Sequence, residues 1–165
     1  MKKIGLLSDT HGYFDEKIYH YFESCDEIWH AGDLGSMDVV NKLLAFKPLR
    51  AVWGNIDGYN LRGMFPQHNR FKIEDVTVWM THIGGYPGKY APEVKQELLL
   101  NPPKLFITGH SHILKVMYDK RLGLLHINPG AAGKYGFHKV RTLIRFEIDG
   151  AAIQNLDVVE IGSQM

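Results

Sequence analysis

From residue 3 onward, short apolar runs alternate with stretches of helical period. Residues 3–7 (KIGLL) read as a strand, and Ile18, Phe22 and Cys25 then stand at i, i+4 and i+7 behind a helix predicted over 15–24. Residues 27–30 form a second short strand, and Ser36 is placed to cap a helix whose Val39, Val40, Leu43 and Leu44 share a face. A third strand over 49–52 is closed by Gly54, and a fourth covers 76–81. Pro92 suits the first turn of a helix carrying Val94 and Leu98, and a fifth strand covers 104–108. Beyond it the helical period disappears. Residues 115–119 and 124–128 flank a Lys-Arg-Leu-Gly turn, and 142–148 and 152–159 flank Asp149-Gly150, so both pairs read as hairpins. A βαβαβ start followed by hairpins predicts an α/β sandwich with one mixed sheet or two sheets. No repeat, low-complexity tract or linker interrupts it, and residues 1–165 read as a single domain.

The polar residues behind those strands carry the chemistry. Asp9 and His11 follow the first, Gly32-Asp33 the second, Gly54-Asn55 the third, His82 the fourth, and Gly109-His110-Ser111-His112 the fifth. Each junction offers an oxygen or nitrogen metal ligand, and open α/β sheets bind ligands beyond the carboxyl ends of their strands. Taken singly, Asp9 or Asp33 reads as a helix cap or turn residue and Asn55 as a turn former. Those readings do not explain five consecutive strand ends that all carry ligand types. The glycines before Asp33, Asn55 and His110 are expected to allow tight turns that aim these side chains at one point. The remaining histidines, His20, His30, His68, His126 and His138, read as surface or satisfied core residues.

Composition narrows the setting. Hydrophobic residues make up 45% and charged residues 22% of the chain, ordinary values for a soluble globular protein. A net charge of +1 supplies no field that favours nucleic acid or an anionic membrane. The single cysteine, Cys25, cannot form an internal disulfide, and a reducing cytoplasmic location is the simplest reading. Only four apolar residues precede Ser8-Asp9 behind the N-terminal lysines, too few for a signal-peptide core, and nothing approaches a membrane span.

The ordered string D-x-H, G-D, G-N, H, G-H-x-H resembles the calcineurin-like metallophosphoesterases. With G-N-x-D at 54–57 and Asn128-Pro129-Gly130 late in the chain, it is most similar to their small bacterial and archaeal phosphodiesterase branch. The resemblance implies a four-layer αββα sandwich with a dinuclear metal site at the carboxyl ends of the strands. It also implies that Asp9, His11 and His112 hold one divalent ion, Asn55, His82 and His110 the other, and that Asp33 bridges them. Manganese is the first expectation for both ions, with nickel, zinc and iron as alternatives. The implied reaction is hydrolysis of a small phosphate ester, above all a phosphodiester, by a hydroxide bridging the ions, with Asn55 and His110 also serving catalysis. Asp9, Asp33 and that hydroxide leave such a site cationic, which suits an anionic ester.

The chain departs from the larger members at one important position. Their G-N-H-[DE] histidine, the candidate acid for the leaving group, is here Ile56, which has no proton to give. Asp57 is expected to hydrogen-bond within its loop or to a ligand histidine. This predicts ready hydrolysis of activated aryl diesters and slow hydrolysis of alkyl monoesters. Asn128-Pro129-Gly130 is read as a turn in preference to a buttress. The glycine-rich segment 84–90 is read as a mobile loop near substrate, and Lys89 and Arg62 as candidate phosphate contacts. Three alternatives stand beside the phosphodiesterase: a phosphomonoesterase, a non-catalytic scaffold of the kind found in retromer, which shares the resemblance, and a DNA nuclease, which lacks its basic stripe here. A homo-oligomer is left open.

Overall fold

The computed structural model describes residues Met1–Met165. The first apolar run forms β1 (Lys2–Leu7), followed by α1 (Lys17–Tyr21), β2 (Glu27–His30), α2 (Met37–Phe46) and β3 (Leu49–Ala51). The three strands are parallel neighbours, as βαβ crossovers require. Ser36 caps α2 by accepting a hydrogen bond from the Val39 N–H. After α3 (Tyr59–Met64) come β4 (His68–Ile73), β5 (Val76–Thr81), a small hairpin of β6 (Gly85–Tyr86) and β7 (Lys89–Tyr90), and α4 (Pro92–Leu100). The chain ends through β8 (Leu105–Ile107), β9 (Lys115–Asp119), β10 (Leu124–Asn128), β11 (Val140–Asp149) and β12 (Ala152–Ser163).

Two five-stranded sheets result, in the orders β12-β11-β1-β2-β3 and β4-β5-β8-β10-β9. Both are mixed: β5, β8 and β10 run parallel within the second, and hairpin strands flank them. The main core lies between the sheets, where Ile4, Leu6, Trp29 and Phe146 meet Val78, Met80, Ile107 and Ile127, all essentially inaccessible to water. On the outer face of the first sheet, α1 and α2 bury Ile18, Phe22, Val39 and Leu43. Helix α4 covers the second sheet by setting Val94 and Leu98 on Trp79 and Phe106. This is a four-layer αββα sandwich. Its parallel strands β1, β2 and β3 on one side, and β5 and β8 on the other, end at a shared rim. No helix is long and apolar enough to cross a membrane.

Several local expectations change. Helix α1 is only one short turn, yet Phe22 and Cys25 beyond it still pack in the cluster that the stripe implied. Leu44 is exposed while Val39, Val40 and Leu43 are buried. At about 100° per residue, Leu44 lies roughly a quarter-turn beyond the centre of that face. Strand β4 was not expected, because HNRFKI is an edge strand with few apolar positions, and its antiparallel pairing with β5 makes a hairpin through Glu74-Asp75. The last hairpin is longer than its apolar core, and register shifts interrupt it at Arg141/Thr142 and Arg145/Glu147.

Candidate metal centre

The loops that leave the strands are stitched to one another through their backbones. Asp9 N–H donates to the Gly32 carbonyl, His11 N–H to Asp33, and Gly12 N–H to Leu34, so the first two loops run side by side. Gly109 N–H donates to the His82 carbonyl, joining the fourth and fifth. His30 ties the first pair from below. Its Nδ1 accepts from the Gly32 N–H, so its Nε2 carries the proton and meets Thr10 Oγ1 at 3.0 Å. Burial pushes the His30 ring down to about 3, in keeping with a neutral core imidazole.

The sequence-predicted residues converge there as two groups, Asp9, His11 and His112 in one and Asp33, His82 and His110 in the other, each with ligand atoms within 4.8 Å of one another. The groups interlock. Asp33 Oδ2 lies 3.3 Å from His11 Nε2 of the first and 3.1 Å from His82 Nε2 of the second. Asp9 Oδ1 lies 3.1 Å from His112 Nε2. Asn55 joins the second group through its Oδ1, 3.0 Å from His110 Nδ1.

Backbone geometry marks the same residues. Of the seven non-glycine residues with positive φ, five are Asp9, His11, Asp33, His110 and His112. Left-handed conformations of this kind cost free energy and cluster at functional sites. The glycines before the ligands act differently from one another. Gly32 adopts φ +101°, a turn that needs glycine, whereas at Gly54 the requirement is space: a Cβ there would lie 2.1 Å from Asp33 Oδ1.

Hydrogen bonds set which nitrogen each histidine presents. His82 Nδ1 donates to the Ala31 carbonyl at 2.7 Å, leaving Nε2 to face Asp33. His138 Nε2 donates to the Gly133 carbonyl at 2.7 Å, and its Nδ1 lies 3.2 Å from His112 Nδ1. A neutral His138 therefore accepts from His112 and turns the His112 Nε2 lone pair toward Asp9. Such outer partners fix the tautomer of metal-binding histidines. The sequence alone marks His138 as a surface or core residue, and only its spatial approach to His112 identifies it.

Asp9 Oδ1, His11 Nε2 and His82 Nε2 are buried without a hydrogen-bond partner. Burial would raise the carboxyls, but the close approach of the facing histidines, with Ser8 Oγ donating to Asp9 and the Ile56 N–H to Asp33, outweighs it and holds both well below the ordinary range. The same carboxylates, working against burial, raise His11 to about 9 and His82 above its usual value. Unpaired buried nitrogen and oxygen atoms facing one point fit a divalent cation. With such an ion held there, metal replaces those protons.

The remaining candidates of the sequence surround this centre. Asp57 is buried and accepts from the N–H groups of Leu34, Gly35 and Gly54, so it binds its loop and touches no ligand histidine. Arg62 donates to the carbonyls of Asp57 and Asn55 and stacks 4.0 Å above Trp53, which makes it a clamp on the Asn55 loop. Asn128 does more than turn the chain: its Nδ2 donates to Gly109 O and Ser111 Oγ and so buttresses the His110–His112 loop. Segment 84–90 is the β6–β7 hairpin, and Lys89 lines a cavity that contains no ligand of either group. His126 is a core histidine but has no hydrogen-bond partner, contrary to a satisfied reading.

Comparison with known proteins points the same way. The family model for the calcineurin-like phosphoesterase superfamily domain matches residues 1–151. A probable metallophosphoesterase of Methanothermobacter thermautotrophicus is 30% identical over 136 residues, covering 78% of this chain and 76% of its own. Among solved structures, a novel archaeal phosphodiesterase superposes with a TM-score of 0.76 at 22% identity, covering 95% of this chain and 99% of that one. Zinc-complexed Vps29 of Entamoeba histolytica superposes at 0.73 with 15% identity, covering 99% of both chains.

Proposed function

We propose that this chain, which belongs to the calcineurin-like phosphoesterase superfamily, is a divalent-metal-dependent phosphodiesterase acting on a small, anionic phosphate diester. The carrying observation is the interlocked pair of ligand groups, in which one Asp33 oxygen faces a histidine of each. In this reading Asp9, His11 and His112 hold one ion, Asn55, His82 and His110 the other, and Asp33 serves both. Divalent ions held there, manganese foremost, would activate water at neutral pH and offset charge on phosphate oxygens.

The protein's own residues then position and discriminate. His110 is exposed and Asn55 stands beside it, so these two meet the substrate from the open side. Neither residue that follows Asn55 can protonate a leaving group. The Ile56 side chain is aliphatic, and its N–H donates to Asp33 Oδ1. The Asp57 carboxylate is engaged by three backbone N–H groups. Without an acid there, esters with good leaving groups are favoured, and a diester carries less charge into attack than a monoester. A buried free Cys25 suits a reducing, cytoplasmic setting within the same proposal.

The test is metal-stripped protein reconstituted with Mn, Ni, Zn, Fe or Mg and assayed on aryl and alkyl mono- and diesters. Mn is expected to restore aryl-diester hydrolysis at least as well as Mg, because imidazole-rich sites bind Mg poorly. Activity that survives thorough chelation ends this reading. Stoichiometric metal without turnover on any ester supports the scaffold instead.

A further inference from the structure

A cavity of about 510 Å³ lies away from the metal centre. It opens between the β6–β7 hairpin, α4 and the turn joining β9 to β10. Strand β10 runs from that turn to Asn128, which braces the metal loop, so its four residue steps separate the two places by about 13 Å along the strand at ~3.3 Å each. No ligand-type residue of the centre lines it.

Lys89, Lys95, Lys120 and Arg121 surround this cavity, with Asp119 as the one carboxylate among them. None of the four cations takes part in the chain's ion pairs, whereas Arg50, Arg70, Arg141 and Arg145 do. Asp119 offsets one charge of the four at most. Its Oδ2 accepts from the Tyr90 hydroxyl at 2.6 Å, and its Oδ1 accepts from the N–H groups of Arg121 and Leu122. The hairpin turn is thereby fixed by Asp119, and the cations stand unpaired around a rigid floor. In a chain whose net charge is only +1, this is a strong local excess.

The remaining wall is apolar and open. Leu99 is 55%, Met117 44% and Tyr118 58% exposed, and all three line the cavity. The size falls in the range of small-molecule sites, about 300–1,000 Å³. Clustered unpaired cations recognise adjacent negative charges, and an exposed Tyr–Met–Leu wall recognises a planar or apolar body. We infer that this cavity is a second ligand site, separate from the metal centre, for a phosphorylated small molecule of the nucleoside diphosphate class. The diphosphate meets Lys95, Lys120 and Arg121, and the planar part lies against Tyr118.

The full-length, zinc-loaded protein allows a direct test by amide NMR. Its probes are the non-hydrolysable α,β-methylene analogue of ADP and, separately, methylenediphosphonate. The nucleoside probe is expected to shift the amides of 89–95 and 118–122 saturably and to bind there at least ~10-fold more tightly than methylenediphosphonate. The doubly reversed variant Lys95→Glu/Arg121→Glu changes two exposed side chains. It is expected to weaken that binding at least ~10-fold while shifts around Asn55 and His110 persist. Tyr118→Ala is expected to remove the advantage of the nucleoside probe alone. Shifts confined to the metal centre, or unchanged affinity in the charge-reversed protein, overturn the site. Equal affinity for the two probes overturns the assigned ligand class.

Discussion

Asp9, His11 and His112 sit beneath a layer of braces, whereas His110 and Asn55 of the second group stand at the surface and hold chiefly each other. Asp9 Oδ2 accepts from Ser8 Oγ at 2.6 Å and from the His110 N–H at 3.1 Å, and His112 is backed by His138. Tyr135 stacks on the His11 ring with centroids 5.0 Å apart. In the second group, Asp33 and His82 are buried and braced by Ile56 N–H and the Ala31 carbonyl. The His110 side chain there has one hydrogen-bond partner, Asn55, beside an edge contact to the His82 ring 5.3 Å away, and lies exposed. Burial and the nearby His82 lower the His110 pKa, so it stays neutral while His11 is held protonated by two carboxylates. The contrast teaches that one group is preorganised and the other keeps an open side, which a catalytic metal site needs for its substrate.

The strongest way to break this comparison is Asp33→Ala, because Asp33 faces both groups. It is expected to lose both ions and to reduce diester turnover to background. Elemental analysis that finds two ions retained in this variant would remove the bridge. Next, His110→Ala and Asn55→Ala change only the open group. Each is expected to cut turnover by orders of magnitude, roughly 10²-fold or more, while the fold persists and the braced group keeps its ion. Equal loss of both ions would show that the groups are not separable.

A smaller effect sharpens the other side. His138→Ala leaves every candidate ligand in place but removes the acceptor for His112 Nδ1. Metal affinity of the braced group is expected to fall about 10–100-fold, with the second ion little changed. A competitive chelator titration reads both affinities, and an unchanged tighter constant would reduce His138 to packing.

The smallest effect is on stability against pH. Burial lowers His30 to about 3 and His126 to about 4, below the ~6.5 of an unfolded histidine. The unfolded chain therefore binds more protons below 6.5. The stabilisation from keeping these rings neutral is complete above 6.5 and lost as pH falls toward 4 and then 3. His11 and His82, raised in the metal-free protein, have the opposite sign and lose their contribution only as pH rises above 6.5. Above about pH 5, before the lowered carboxylates contribute, denaturant midpoints report the lowered histidines together, His110 included, and a variant separates one ring from the rest. His126→Phe is expected to flatten that slope, and an unchanged slope would mean that its ring does not resist protonation.

The convergence of the candidate ligands was foreshadowed without coordinates, because each of them follows an apolar strand and the strand period is short. Asp9, His11, Asp33, Asn55, His82, His110 and His112 could be named from the order of strand and polar residue alone, and the structure brings all of them to one rim. Ile56 could likewise be excluded as an acid from its identity. Strand β4 was not legible, since an edge strand needs little apolar patterning. Leu44 was misplaced because a face assigned from spacing carries an error of about one residue in width.

What the sequence determined by itself was therefore local: which runs are buried, where they stop, and which ligand types wait at their ends. Those properties depend on side-chain chemistry and on periods of two or three to four residues, which a single chain displays directly. Tertiary structure alone decided the contacts between distant segments. His138 reaches His112 across 26 residues, Asp57 holds the Asp33 loop across about 23, and Asn128 buttresses the loop of His110 across 19. The cavity of unpaired cations likewise joins a strand, a helix and a turn from separate parts of the chain. A hydrogen bond or a Coulomb interaction acts through distance in space, and no local pattern encodes which remote residue will stand 3 Å away.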